Sequence, residues 1–494
     1  MSEFIISIDQ GTTSSRAVLF SNNGHFLSLA QTDLPQIFPA QGLVEHDPAV
    51  ILSTTMDVLQ QILSLDIVKG GKVIAMGITN QRETAIVWDK ETGEPIYNAI
   101  VWQDMRTSDV CKDLKSAGFS EYVKSCTGLM IDPYFSGTKI AWILDNVDGA
   151  RERAERGELC FGTVDSWLLY NLTGRKVHAT DVTNASRTLL FNLRTLKWDE
   201  RMLETLRVPE QLLPEVFPSS NVFGHFDSPS HGPIPITAIL GDQQSALFGQ
   251  CCFSPGMAKN TYGTGCFMLM NTGVEIPNSD SGLLNTIAWQ IGDKITYALE
   301  GSVFVAGAAI QWLRDGLEII DHARETSEIA ARDALKNPDS SVVMVPAFAG
   351  LGTPFWDMQA RGAILGLTRD SGRDSIIRAT LESLAHRSND VLDVMQEDSG
   401  ISLFALKVDG GASANDYLMQ FQSNLLGVSI ERLSFVESTA SGVAYMAALT
   451  IGALTLEEIS LLPKLDRSFD SEQSVEWRER KKTIWSKALE RVVL

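Results

Sequence analysis

Apolar and polar positions come in blocks at the start of the chain. Phe4-Ile-Ile-Ser-Ile8 is a short apolar run, Asp9-Gln-Gly-Thr-Thr-Ser14 is built of turn-forming and hydroxyl residues, and Arg16-Ala-Val-Leu-Phe20 is apolar again. This pattern predicts strand, turn, strand. Asn22, Asn23 and Gly24 make a second turn, and His25 to Ala30 reads as a third strand. Asp47-Pro48 predicts a helix start, with Asp as N-cap and Pro at the first position. Val73 to Ile78 and Ala85 to Trp88 read as strands, and Lys139 to Leu144 and Ser166 to Tyr170 as helices.

The opening pattern returns in the middle of the chain. Met257 to Thr261 leads into Tyr262-Gly-Thr-Gly265, then Cys266-Phe-Met-Leu-Met270 and the turn Asn271-Thr-Gly273. Later, Leu406-Lys-Val-Asp409 runs into Gly410-Gly411, and Ala412 to Leu426 carries helical periodicity. The repetition predicts two α/β domains, each opened by a β-hairpin, over residues 1–250 and 251–494. The last thirty residues or so, including Arg478-Glu-Arg-Lys-Lys482, read as a charged surface helix. Each glycine turn taken singly also reads as a plain hairpin. Three hydroxyl-rich or backbone-exposing turns together point to a shared phosphate site.

Composition narrows the classes. The chain has 494 residues with 44% hydrophobic, enough for two to four folding units at about 100–200 residues each. The net charge of −20 argues against duplex nucleic acid and anionic membrane surfaces as partners. It does not exclude an anionic ligand such as ATP, which backbone N–H groups, a few cations and Mg²⁺ can hold locally. None of the six cysteines forms a Cys-x-x-Cys pair, so they read as reduced thiols, mostly buried, in a cytoplasmic protein. No apolar run reaches the about 18 residues of a membrane span. The start does not read as a secretory signal, since Asp9 interrupts its apolar stretch and no basic residue precedes it.

The chemistry begins with absences. There is no Gly-x-x-x-x-Gly-Lys-Ser/Thr loop, no dinucleotide fingerprint after Gly263, and no zinc-protease or serine-hydrolase motif. The strand followed by Asp9-x-Gly11-Thr12-Thr13 can hold a nucleotide in another way. The glycine admits a phosphate chain close to the backbone. The loop amides and the hydroxyls of Thr12, Thr13 and Ser14 can donate to phosphoryl oxygens, Asp9 can hold Mg²⁺ directly or through water, and Arg16 adds a fixed positive charge. The same loop alone could be a solvated turn with a capping aspartate.

Asp9-Gln-Gly-Thr-Thr-Ser-Ser-Arg16 resembles the first phosphate loop of the sugar-kinase branch of the actin-like ATPase superfamily. More narrowly, the chain resembles the glycerol kinases of the FGGY carbohydrate kinases. Asn80-Gln-Arg-Glu-Thr84, Asp132 to Lys139, Gly241-Asp-Gln-Gln244, Tyr262 to Phe267, Pro346 to Trp356 and Asp409-Gly-Gly-Ala412 carry this likeness in order over about residues 4–450. The resemblance implies two ribonuclease H-like, actin-like α/β domains with mixed sheets flanked by helices and ATP in the cleft between them. Relatives form homodimers or homotetramers.

The resemblance also implies roles. Arg82 and Glu83 would hold acceptor hydroxyls, the arginine donating and the carboxylate accepting, with Tyr134 and Gln243 at further hydroxyls. Trp102 and Phe267 would wall the carbon skeleton, although each alone also reads as ordinary core. Asp242, after the apolar run Ile236 to Leu240 and Gly241, would take the proton of the attacking hydroxyl and lie near Mg²⁺. Without the likeness it also reads as a helix N-cap. Thr264 and Gly265 would contact the terminal phosphates, Gly307 and Gln311 would border the nucleotide, and Gly411 and Asn415 would lie near the α-phosphate or ribose and the adenine. A kinase for another polyol or a ketose, and an actin-like ATPase with no small acceptor, are the competing classes. Arg82, Glu83 and Asp242 are what the latter has no need of.

Two departures concern control. Glycerol kinases inhibited by fructose 1,6-bisphosphate carry an Arg just before Ile-Pro-Ile, where this chain has Pro233 before Ile234-Pro-Ile236. Proline brings neither charge nor donor, so weak or no inhibition is expected. His231 lies where some relatives are phosphorylated, but its neighbours match poorly and it reads as an exposed loop histidine. Asp104-Met105 also replaces the more usual basic or small residues before Arg106, with no effect on the chemistry expected.

Overall fold

A computed structural model describes residues 2–434 and 437–493. The chain folds as two compact units. The first takes Met1–Cys251 together with Asn285–Tyr297 and Glu437–Leu462; the second takes Cys252–Leu284, Ala298–Val436 and Pro463–Leu494. The division is therefore not a single cut near residue 250: the chain returns twice to the first unit.

In the first unit, β1 (Glu3–Gln10) and β2 (Ser14–Ser21) form an antiparallel hairpin, and β3 (Phe26–Asp33) pairs antiparallel with β2. Helix α1 (Pro48–Leu63) begins where the sequence places it: the Asp47 side chain accepts from Ala49 N at 2.8 Å and Pro48 follows. Its buried positions Ile51, Thr54, Thr55, Val58, Leu59 and Ile62 recur at three- and four-residue spacing. Ile51, Val58, Leu59 and Ile62 join Ile6, Ile8, Ala17, Leu19 and Ile78 in one core. β4 (Lys72–Asn80) runs parallel to β1, with Asp9 opposite Thr79 and Gln10 opposite Asn80. β5 (Ser220–Ser228) pairs antiparallel with β6 (Gly232–Gly241), and β6 runs parallel to β4 with Gly241 opposite Asn80. The carboxyl ends of β1, β4 and β6 thus stand side by side, the usual place for a ligand in an open α/β sheet.

Helix α2 (Asp242–Gly249) follows β6 directly and packs on the returning helix Ser438–Thr450. The crossing admits no side chain: a Cβ on Gly249 would lie 2.0 Å from the Ser438 carbonyl oxygen, and one on Gly442 1.8 Å from that of Ser245.

The second unit repeats the plan. β7 (Met257–Tyr262) and β8 (Cys266–Gly273) form a hairpin, and β9 (Ala405–Asp409) runs parallel to β7 with Asp409 opposite Thr261. α3 (Gly307–Asp315), α4 (Arg373–Ser399) and α5 (Asp416–Leu426) contribute Leu313, Leu384 and Leu418 to its core. The helix read from Ala412 begins later than its periodicity predicts, because Gly411–Ala414 forms a separate turn and Asn415 caps α5 by accepting from Leu418 N at 3.0 Å. The C-terminal helix α6 (Val475–Leu489) is not purely a surface element, since Lys481 and Trp485 are buried. All six cysteines are buried. Among the described residues, no helix is long and apolar enough to cross a membrane.

Candidate functional site

The first unit brings nine of the sequence-predicted residues to the ends of its parallel strands. Gly11 N donates to Ser14 O at 2.9 Å and closes the loop between β1 and β2. Within it Thr13 is exposed, Thr12 half-buried and Ser14 buried. Thr12 Oγ1 accepts from Trp102 Nε1 at 2.9 Å, so the indole is fastened to the loop. The Trp102 ring meets the edge of Tyr134 with centroids 5.6 Å apart. Arg16 lies opposite Asp9 across the hairpin, 3.9 Å from its carboxylate, and is paired more closely with Glu437 at 2.6 Å.

Arg82 and Glu83 follow β4 and are almost wholly buried. Arg82 Nε stands 3.2 Å from Asp242 Oδ1, and its Nη1 donates to Gln244 Oε1 at 3.1 Å. Asp242 opens α2 rather than capping it from outside: Gly241 is the N-cap, and Asp242 Oδ1 accepts from Gln243 N at 2.7 Å. Its carboxylate keeps 29% of its side-chain surface exposed, which suits a group that must meet a substrate. Gln243 beside it is half-buried.

Asp9 is 7% exposed. Burial pushes its carboxyl up to about 7; Arg16 opposes this, while Glu437 and Asp242 add to it. Three carboxylates therefore crowd one end of the sheet against Arg16 and Arg82. Among the described residues, no group of three or more His, Cys, Asp and Glu is placed to hold a metal by protein ligands alone. The oxygen-only donor set of Asp9 and Asp242 fits Mg²⁺, which commonly binds through one or two carboxylates, water and substrate phosphates.

In the second unit, the loop between β7 and β8 is closed by Gly263 N donating to Gly265 O at 2.9 Å. Thr264 O accepts from Ala306 N at 2.8 Å and Ala308 N at 3.2 Å, which fixes the start of α3 against the loop. A cavity of about 300 Å³ opens there, lined by Thr264, Gly307, Gln311, Arg314, Gly411 and neighbouring residues. Gly410 takes φ +85°, and a Cβ on it would lie 2.5 Å from Tyr262 O, so only glycine turns the chain from β9 into the cavity wall. Gly265 sits against Val303 O and Phe267 is half-buried on β8. Asn415 does not line the cavity; its side chain caps α5 and donates to Thr326 Oγ1 at 2.9 Å.

Four residues about the first site were not singled out from sequence. Lys139 lies in a recognised segment, but its length and charge gave no hint of burial. Gln244 closes the Gly241-Asp-Gln-Gln244 segment but was given no role, and Arg187 and Glu437 sit in stretches with no motif of their own. Arg314, on the second-unit cavity, was within reach: Gly307, Gln311 and Arg314 follow four- and three-residue spacing along one helix face.

The model of the FGGY family of carbohydrate kinases, N-terminal domain, matches residues 4–249, and that of its C-terminal domain matches 258–451. A protein named glycerol kinase from Caldanaerobacter subterraneus subsp. tengcongensis is 56% identical, over 100% of this chain and 99% of its own length. The crystal structure of Plasmodium falciparum glycerol kinase with ADP superposes with a TM-score of 0.95 at 36% identity, covering 100% of this chain and 99% of that one. A ligand-bound xylulose kinase from Lactobacillus acidophilus, 21% identical with a TM-score of 0.87 over 99% of this chain and 97% of its own, shares the fold. The chain is an α/β protein of two units that belongs to the FGGY family of carbohydrate kinases.

Proposed function

We propose that the chain transfers the γ-phosphoryl group of ATP to a primary hydroxyl of glycerol, giving sn-glycerol 3-phosphate and ADP. One observation carries the reading: three adjacent strand ends gather Asp9, the Arg82-Glu83 pair and Asp242, with Arg82 Nε 3.2 Å from the Asp242 carboxylate. An actin-like ATPase without an acceptor shares the Asp9 loop but has no use for Arg82, Glu83 and Asp242 beside it. Relatives that cover the whole chain and are named glycerol kinase supply the acceptor.

Arg82 donates to acceptor hydroxyls and Glu83 accepts from them. Trp102 and Tyr134, already edge to face, wall the carbon skeleton with Phe267, and Gln243 is at a further hydroxyl. Asp242 takes the hydroxyl proton as the oxygen attacks the γ-phosphorus, the bond to the bridging oxygen breaks, and ADP leaves with its charge on the terminal phosphate. Thr12, Thr13, Ser14, Arg16 and the loop amides hold the terminal phosphates. Thr264, Gly265, Gly307, Gln311 and Gly411 hold the nucleotide, and Asn415 acts there by fixing α5. Mg²⁺, bound by Asp9 and Asp242 directly or through water, would neutralise charge on the β- and γ-phosphates.

Fructose 1,6-bisphosphate is expected not to inhibit. Pro233 is exposed at the start of β6, opposite Asp227, and offers neither charge nor donor. Activity halved by about millimolar concentrations of it would contradict this. The reading as a whole is tested by coupled ADP release with glycerol, dihydroxyacetone, erythritol, xylulose or no acceptor. Glycerol is expected to give the highest kcat/KM. Acceptor-independent turnover would reject the kinase, and preference for xylulose would reject the acceptor.

A further inference from the structure

Glu83 occupies a backbone conformation that few residues with a side chain adopt, φ 63°, while almost wholly buried. Such a conformation persists only where its surroundings over-determine it. Here Thr84 N donates to Arg82 O at 2.8 Å across the bend, and the Glu83 carbonyl accepts from Ser136 Oγ at 3.0 Å and Lys139 Nζ at 3.2 Å. The Glu83 carboxylate accepts from Arg187 Nε at 2.6 Å.

Lys139 and Arg187 do not stop at Glu83. Lys139 Nζ also donates to Tyr134 O at 2.5 Å, and the Arg187 guanidinium lies over the Tyr134 ring at 5.8 Å and the Phe135 ring at 5.3 Å. One cation ties the two backbones together, and the other ties the carboxylate to the aromatic face. Both residues are fully buried, with 0% exposure. Burying an arginine and a lysine is costly unless their donors are hydrogen-bonded; burial lowers Lys139 to about 7, and its hydrogen bonds go to the two backbone carbonyls.

Arg187 is itself anchored to the remaining strand ends. It follows a short helix, Val182–Ala185, in which Asn184 Oδ1 accepts from Asn80 Nδ2 at 3.0 Å at the end of β4. Thr183 Oγ1 accepts from Gly241 N at 2.9 Å, immediately before Asp242. One segment thereby sets the place of Glu83 relative to both Asn80 and Gly241.

We infer that Arg187 and Lys139 are positioning residues that fix the Glu83-to-Tyr134 span of the acceptor pocket, and so limit the length of polyol it accepts. This rests on the reading of Glu83 and Tyr134 as acceptor-binding groups. A carboxylate and an aromatic wall bracketed in this way cannot retreat for a fourth carbon without breaking contacts to both cations.

The test measures Arg187→Lys and Lys139→Met beside the unaltered protein, with KM for glycerol, KM for ATP, the erythritol-to-glycerol ratio of kcat/KM, and the unfolding temperature. Arg187→Lys keeps the charge but lacks the Nε donor and the planar face. The expected result is a rise of about 10- to 100-fold in KM for glycerol, the loss anticipated for a charged hydrogen bond. KM for ATP should stay within about twofold, and the erythritol-to-glycerol ratio should rise. An unchanged glycerol KM and ratio in folded Arg187→Lys would overturn the inference. So would equal losses toward glycerol and ATP that track a lower unfolding temperature. Should Arg187→Lys not fold, Lys139→Met reads the same span through the backbone carbonyls. Failure of the glycerol reading would appear separately, as no glycerol-dependent ADP release by the unaltered protein.

Discussion

Gly241→Ala perturbs the proposed site with a single methyl group. Gly241 has φ −61° and ψ 151°, values ordinary for alanine, so the substitution strains no backbone. It lacks room instead: the new Cβ would lie 2.7 Å from Arg82 Cδ, 2.8 Å from Arg82 Cγ and 2.9 Å from Gln244 Oε1. Carbon atoms rest at about 3.5–4.0 Å, so the arginine stem must retreat by about 0.8 Å or more. That retreat pulls the guanidinium from Asp242 Oδ1 at 3.2 Å and Gln244 Oε1 at 3.1 Å together. Overpacking of this kind costs about 1–3 kcal/mol, and an error of about 1 Å in a positioning group can cost about 10²-fold in rate. Differential scanning calorimetry should show an unfolding temperature lower by about 2–4 °C for each kcal/mol in a large domain. Steady-state kinetics should show kcat/KM for glycerol lower by about 10- to 100-fold, with KM for ATP nearly unchanged. A folded Gly241→Ala protein with normal glycerol kinetics would refute the placement of Arg82 against the acceptor.

Gly411→Ala is the converse case. Nothing lies within 4 Å of a Cβ there, and the residue lines the second-unit cavity. Stability should therefore hold to within about 0.5 kcal/mol while KM for ATP rises, measured by calorimetry and by varying ATP at saturating glycerol. Asp9 supplies a pH prediction. Its carboxyl is raised from 3.8 to about 7, so its contribution to folding is present below 3.8 and lost as pH rises through about 7. If Asp9 holds MgATP as proposed, the binding form is the carboxylate, so binding at pH 7 should release about half a proton, and affinity should weaken by up to about tenfold per unit below that. Isothermal calorimetry in two buffers of different ionisation enthalpy measures this; Asp9→Asn should abolish the release, and tighter MgATP binding at pH 6 would contradict it.

The loop after Asp9 was legible as a candidate phosphate loop from its uninterrupted strand, turn and strand. The pair after β4 and Asp242 after β6 carry no such local signal and were singled out by the family resemblance; the parallel register then places them beside that loop. What was not legible depends on contacts far apart in sequence. Glu437 reaches Arg16 only because the chain returns to the first unit, and that return is held by a crossing at Gly249 and Gly442 that no periodicity reveals. Arg187 and Lys139 are buried cations, and a long charged side chain reads as surface until its partners are seen. Asn415 has a local role its sequence context did not show: an asparagine after a glycine-rich turn also serves as a helix cap, and here both ends of its amide are used.

The central claim, that the carboxylate opening α2 removes the proton of the attacking hydroxyl, is tested most directly by rapid-quench measurement of phosphoryl transfer with Asp242→Asn. The substitution keeps the side-chain size and can still accept from Gln243 N, as Asp242 Oδ1 does at 2.7 Å. The transfer rate should fall by about 10²- to 10⁴-fold, with ADP binding and the unfolding temperature nearly unchanged. A transfer rate within about tenfold of the unaltered protein would contradict the assignment of Asp242 as the base.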